Sequence, residues 1–188
     1  MQVLRPLDQI DALSKVRRSG SLRGLPTGFR SLDRLISLRK GFPMFIAGAP
    51  GHGKSIFVKQ IAINAAERHG WRILAYMGEE GSGVDLIADL VEMKVRKDLR
   101  VKRDSGFENP QAMDEDEFLE ALTFVDRHFR IICPDEVSKE PFTLERFHDI
   151  ADADHYDATI RDPRNDLDHD VETFGGREVV DLATPHRA

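Results

Sequence analysis

The chain has 188 residues, enough for one domain with a sizeable core. At 40% hydrophobic and 32% charged residues it reads as globular with a heavily solvated surface, and a formal net charge of −6 excludes a surface that is basic throughout. No apolar run reaches bilayer-spanning length, the first residues do not begin a signal peptide, and the single cysteine, Cys133, excludes an internal disulfide. These features predict a cytoplasmic protein with no membrane partner.

Leu7, Ile10, Leu13 and Val16 stand among polar neighbours, which predicts a short amphipathic helix over 7–18. Residues 18–24 read as a linker, so an N-terminal helix and linker (1–23) precede a core at 24–175. Residues 43–47 form a short apolar run bounded by glycine and proline, as a buried parallel strand should. Helical spacing then covers 54–68. A strand is expected over 71–77, a helix over 84–96, a long polar loop over 98–111 and an acidic helix over 114–126. A third strand (129–133), a third helix of this alternating series (143–152) and a fourth strand (157–161) follow. Residues 179–188 read as the start of a helix and a tail, which makes 176–188 a C-terminal segment. Strands alternating with helices imply right-handed crossovers and a mainly parallel sheet in an α/β fold.

Charge is clustered. Basic residues gather at Lys15, Arg17, Arg18 and Arg23, at Arg30, Arg34, Arg39 and Lys40, and at Lys94, Arg96, Lys97, Arg100, Lys102 and Arg103. Acidic residues dominate 114–120 and 149–172. Each group reads first as a solvated face.

The segment Gly48-Ala49-Pro50-Gly51-His52-Gly53-Lys54-Ser55 has the Walker A pattern and lies where a buried strand hands over to an amphipathic helix. Binding a triphosphate requires backbone N–H groups converging on oxygen atoms. Gly48, Gly51 and Gly53 give the loop the necessary freedom, and the helix that follows points its positive end at the phosphates. Lys54 supplies a mobile charge for the β- and γ-phosphates, and Ser55 a hydroxyl ligand for Mg²⁺. The nucleotide-binding set is therefore 48–56, ending at Ile56, with ATP and Mg²⁺ as cofactors. His52 occupies a variable loop position and is assigned no chemistry.

Beyond this loop, Leu25-Pro26-Thr27-Gly28-Phe29-Arg30-Ser31-Leu32-Asp33, Ala75-Tyr76-Met77-Gly78-Glu79-Glu80 and the stretch from Tyr156 through Asp162 to Leu167 follow in order. The combination resembles the motor domain of DnaB- and Twinkle-type replicative hexameric helicases, within the RecA-like P-loop ATPases. The resemblance implies a three-layer α/β/α fold and an ATP hydrolase acting in DNA replication or recombination, with single-stranded DNA as a partner and a hexameric ring. It also implies Glu79 as the catalytic carboxylate, with Glu80 its immediate rival, and Asp162 as the Walker B ligand of Mg²⁺ beside Ser55. Arg161 departs from the pattern by putting a charge in an otherwise apolar strand. Asp135-Glu136, at the end of another apolar run, competes with Asp162. The string Asp166, Asp168, His169, Asp170 lacks the glycine and closing glutamate of a calcium loop and reads as a solvated acidic loop.

By this resemblance further strands, the DNA-binding loops and an arginine finger are expected beyond the chain's end. The fold is therefore expected to be incomplete at its C-terminal side or completed by a partner subunit. The alternative function is a nucleotide-binding regulatory or assembly module of the same fold with negligible hydrolysis. A regulator of the KaiC or RadA kind is a third possibility.

Overall fold

Two units make up the chain, residues 1–39 and 40–188. The computed structural model describes residues 5–19, 24–78, 82–102, 106–133, 142–162 and 178–183.

In the first unit a 3-10 turn (Pro6–Gln9) leads into α1 (Ile10–Ser19). Leu7, Ile10 and Leu13 stay exposed, so the expected amphipathic helix is present with much of its apolar side in solvent. Leu25 and Leu38 exchange two backbone hydrogen bonds, at 2.6 and 2.7 Å, which close a loop. Inside it Thr27 is fully buried, and both its N–H and its hydroxyl donate to Asp33 Oδ1, at 2.6 and 2.7 Å. Gly24 is needed at the neck of the loop, because a Cβ there would collide with the Leu38 carbonyl.

The second unit holds a five-stranded sheet: β1 (Met44–Gly48), β2 (Ile73–Met77), β3 (Phe129–Ile132), β4 (Ala158–Asp162) and β5 (Glu178–Ala183). Their order across the sheet is β1-β5-β4-β2-β3. Four helices connect them: α2 (Lys54–His69), α3 (Gly83–Val95), α4 (Glu115–His128) and α5 (Leu144–Ala153). Local chemistry sets the helix ends. α2 stops at Gly70, which adopts φ 67°. Capping boxes start α3 (Ser82 with Asp85) and α4 (Asp114 with Glu117). The backbone N–H and hydroxyl of Ser82 both donate to Asp85 and hold its carboxyl below the ordinary aspartate value.

β2 pairs in parallel with both β3 and β4, and its five residues are all buried, as the near-continuous apolar run Ile73-Leu74-Ala75-Tyr76-Met77 requires. Leu74 and Tyr76 face α5 and pack with Phe147 and Ala151, while Ile132, Phe142 and Tyr156 close the cluster. Each large apolar side chain buried in this way contributes about 1.5–3 kcal/mol. Alternation along β4 puts Arg161 and Asp162 on opposite faces. Arg161 faces α5, with its guanidinium carbon 5.3 Å from the Phe147 ring centroid, and Asp162 faces the start of α2. Helices therefore cover both faces of an α/β sheet, an arrangement compatible with a RecA-like fold.

One expectation is corrected. Within 179–188, read as the start of a helix, the chain forms β5, which pairs antiparallel with both β1 and β4. Val179, Val180 and Leu182 satisfy either period in so short a window. Ladders on both sides decide the outcome, in keeping with the preference of β-branched residues for a pleated surface. The expected parallel pairing thus holds for β4-β2-β3, and β5 makes the whole sheet mixed.

Candidate functional site

β1 ends at Gly48 and α2 begins at Lys54, so residues 49–53 carry the chain from strand to helix. Gly51 (φ 75°) and Gly53 (φ 76°) both lie in the left-handed region, where a residue with a Cβ pays about 1–2 kcal/mol. A Cβ at either position would meet nothing within 4 Å, so the requirement for glycine is conformational rather than steric. The His52 N–H donates to Ala49 O at 3.4 Å, and the α2 ladder starts with Phe57 N–H to Gly53 O at 2.9 Å. The first N–H groups of a helix have no acceptor within it, and here they open onto the glycine loop.

Lys54, the first residue of α2, is 9% exposed, and its Nζ donates to Ala49 O at 3.2 Å. Its stem lies against Gly48, where a Cβ would sit 3.7 Å from Lys54 Cδ. Ser55 reaches across to the sheet, its Oγ donating to Asp162 Oδ2. Asp162 is buried at the carboxyl end of β4, and its carbonyl accepts the Gly78 N–H at 2.9 Å. The ends of β2 and β4 are therefore tied together immediately before Glu79 in the sequence.

The structure thus brings Lys54, Ser55 and Asp162 to one end of the sheet. Glu79, Glu80, Asp135, Glu136 and the string from Asp166 to Asp170 lie outside the described residues. Among the described residues no group of three or more His, Cys, Asp or Glu is placed to hold a metal. The oxygen pair of Ser55 and Asp162 is nevertheless of the hard-donor kind that Mg²⁺ accepts, since Mg²⁺ retains several waters and takes only one or two carboxylates.

One support of the glycine loop's helix carries no local signal in the sequence. Lys59, buried on α2, forms an ion pair with Asp89 of α3 at 2.6 Å and joins the helix after the glycine loop to the next helix.

A different cluster lies at the opposite, amino-terminal edge of β2 and β4. Asp157 accepts from Lys40 Nζ and from the Arg72 N–H, the latter at 2.9 Å. Burial pushes the Asp157 carboxyl up, but these donors outweigh it and hold the group below its ordinary value. Arg72 also donates to both oxygens of Asp154, at 3.2 and 2.7 Å, and those bonds hold the Asp154 carboxyl low.

The glycine loop and its partners stand in a chain similar to the Twinkle homolog protein, chloroplastic/mitochondrial, of Arabidopsis thaliana, with 29% identity over 164 residues. The chain is a distant, partial homologue of that protein. The match covers 86% of this chain and 23% of the relative, so the chain spans about a quarter of the relative's length. No protein-family model matches, and no solved structure matches significantly. Among the described residues no helix is long and apolar enough to cross a membrane.

Proposed function

We propose that the chain is an ATP-binding and ATP-hydrolysing RecA-like P-loop ATPase of the DnaB-type helicase group, acting in DNA replication or recombination. The contact between Ser55 and Asp162 carries this reading. It joins the residue after the loop lysine to a carboxylate at the end of a buried strand, the two oxygen donors that a phosphate-bound Mg²⁺ needs.

Strand order supports Asp162 over Asp135. β4 lies two strands from β1, about 10 Å, whereas β3, which leads to Asp135, lies at the far edge, about 19 Å from β1. In this reading the loop N–H groups and the Lys54 ammonium bind the β- and γ-phosphate oxygens. Lys54 exchanges its bond to Ala49 O for charge-assisted bonds to phosphate. Ser55 and Asp162 hold Mg²⁺, which supplies charge neutralisation on those oxygens when bound. Glu79, one residue beyond the Gly78–Asp162 tie, orients the attacking water. The resemblance to DnaB- and Twinkle-type helicases adds single-stranded DNA and a ring of like subunits, or a completing partner subunit, as partners.

The test is steady-state ATP hydrolysis by the purified chain, with and without single-stranded DNA, with Lys54→Ala as control. Losing charge-assisted phosphate contacts should weaken ATP binding by about 10- to 100-fold while the fold persists. Unchanged affinity in a folded Lys54→Ala protein would refute the site. Binding without turnover would favour the regulatory or assembly module instead.

A further inference from the structure

Only three residues, 79–81, separate Gly78 from Ser82, the N-cap of α3. Both ends of that short span are held. The Gly78 N–H donates to Asp162 O at 2.9 Å, and the Ser82 N–H and hydroxyl donate to Asp85 in the capping box of α3, at 2.9 and 2.8 Å. Where α3 sits therefore fixes where the span ends. Apolar contact alone does not fix that seat. Leu86, Leu90 and Val91 are buried along α3, but apolar burial is non-directional and lets packed helices slide by small amounts.

Two ion pairs tie α3 to α2: Lys59 to Asp89 and Lys94 to Glu67, each at 2.6 Å. Their surroundings differ. Lys94 and Glu67 are both part-exposed, where a pair adds little and tolerates drift. The Lys59 side chain is only 3% exposed, and drawing a buried cation away from its carboxylate costs far more than it does in water. Lys59 stands four residues after Ser55 on α2. Asp89 stands seven residues after Ser82, about 10 Å along α3. The pair thus sets the spacing between the helix that begins with Lys54 and Ser55 and the helix that begins where the 79–81 span ends.

We propose that Lys59 and Asp89 are positioning residues, whose ion pair seats α3 against α2 so that the carboxylate of the 79–81 span meets the γ-phosphate bound at the glycine loop. Their role is in turnover rather than affinity. The phosphate and Mg²⁺ contacts assigned to the loop N–H groups, Lys54 and Ser55 do not pass through α3. A pair that merely stabilises the fold would lower the melting temperature without separating turnover from binding. The assignment deepens the proposed ATPase reading and rests on it.

The experiment measures single-turnover ATP hydrolysis and fluorescent-nucleotide affinity on the full chain, with a melting temperature for every variant. Lys59→Met keeps the packing of the stem and removes the charge. Its single-turnover rate should fall about 10- to 100-fold, as a shift of about 1 Å at the reacting groups does, with nucleotide affinity unchanged. Lys94→Met, which removes the part-exposed pair, should keep the wild-type rate. Lys59→Met combined with whichever of Glu79→Gln and Glu80→Gln silences turnover should be no slower than the glutamate variant alone, since the lysine acts through that carboxylate. Asp89→Asn, at a half-exposed position, should repeat the rate loss at unchanged affinity, and it carries the test if Lys59→Met does not fold. Wild-type rates in these variants, a loss of affinity equal to the loss of rate, or additivity with the glutamate change would each overturn the assignment. A wild-type chain that binds ATP without turnover would overturn the proposed hydrolysis and this assignment with it, a failure visible before any variant is compared.

Discussion

Ser55, the second residue of α2, donates its hydroxyl to Oδ2 of Asp162, the last residue of β4, across 107 positions of sequence. The bond ties the helix after the glycine loop to β4, two places from β1 in the sheet, and on the proposed reading it places Asp162 beside Ser55 as the second Mg²⁺ ligand. Asp162→Asn should therefore weaken Mg²⁺-dependent nucleotide binding by at least about tenfold, while Asp135→Asn leaves it nearly unchanged. Titration of a fluorescent nucleotide with Mg²⁺ and with chelator measures both. The reverse ranking would move the metal ligand to the segment after β3.

Glu79→Gln should retain nucleotide affinity and lose turnover by about 100-fold or more, because a neutral amide cannot polarise the attacking water. Single-turnover hydrolysis separates the two effects. If Glu80→Gln behaves this way and Glu79→Gln does not, the catalytic carboxylate stands one residue later.

Gly83 opens α3 against the end of β3, and a Cβ there would collide with Cys133 Sγ. Gly83→Ala forces the exposed Cys133 side chain into another rotamer and should destabilise the chain by about 0.5–1.5 kcal/mol. At this chain length each kcal/mol lowers the melting temperature by about 2–4 °C. Adding Cys133→Ala removes the colliding sulfur and should recover much of the loss. Calorimetry of the single and double variants checks the coupling, and an additive double variant would contradict the contact.

Asp157 sets an acid limb on stability. Its carboxyl is held below the ordinary value in the folded chain, so its contribution is complete above the unfolded value, near about 3.9, and is lost as pH falls through the lower folded value. Urea unfolding across that window should show wild-type stability falling with pH and Asp157→Asn flattening the fall. At neutral pH the variant should lose about 1–3 kcal/mol, since the Arg72 N–H and Lys40 lose a charged acceptor. A variant as stable as wild type at neutral pH would mean that these bonds add nothing to the fold.

Much of the local structure was legible from residues alone. The run 43–47, the helix spacing after Lys54 and the continuous apolar stretch of β2 are short-range, and each of these elements formed within about two residues of its expected bounds. The glycine positions were also legible, because Gly51 and Gly53 report a backbone requirement that no neighbour alters. Three features were decided only in the tertiary structure. Residues 178–183 became a strand because β1 and β4 offer ladders on both sides, a non-local pairing that outweighs an ambiguous local period. Arg161, anomalous as a charge in an apolar strand, lies over Phe147 of α5, a neighbour that chain order does not reveal. Asp162 was one of several carboxylates on paper. Strand order and the alternation of side chains across β4 face it toward Ser55, since proximity across 107 residues is a property of topology and not of the residues themselves.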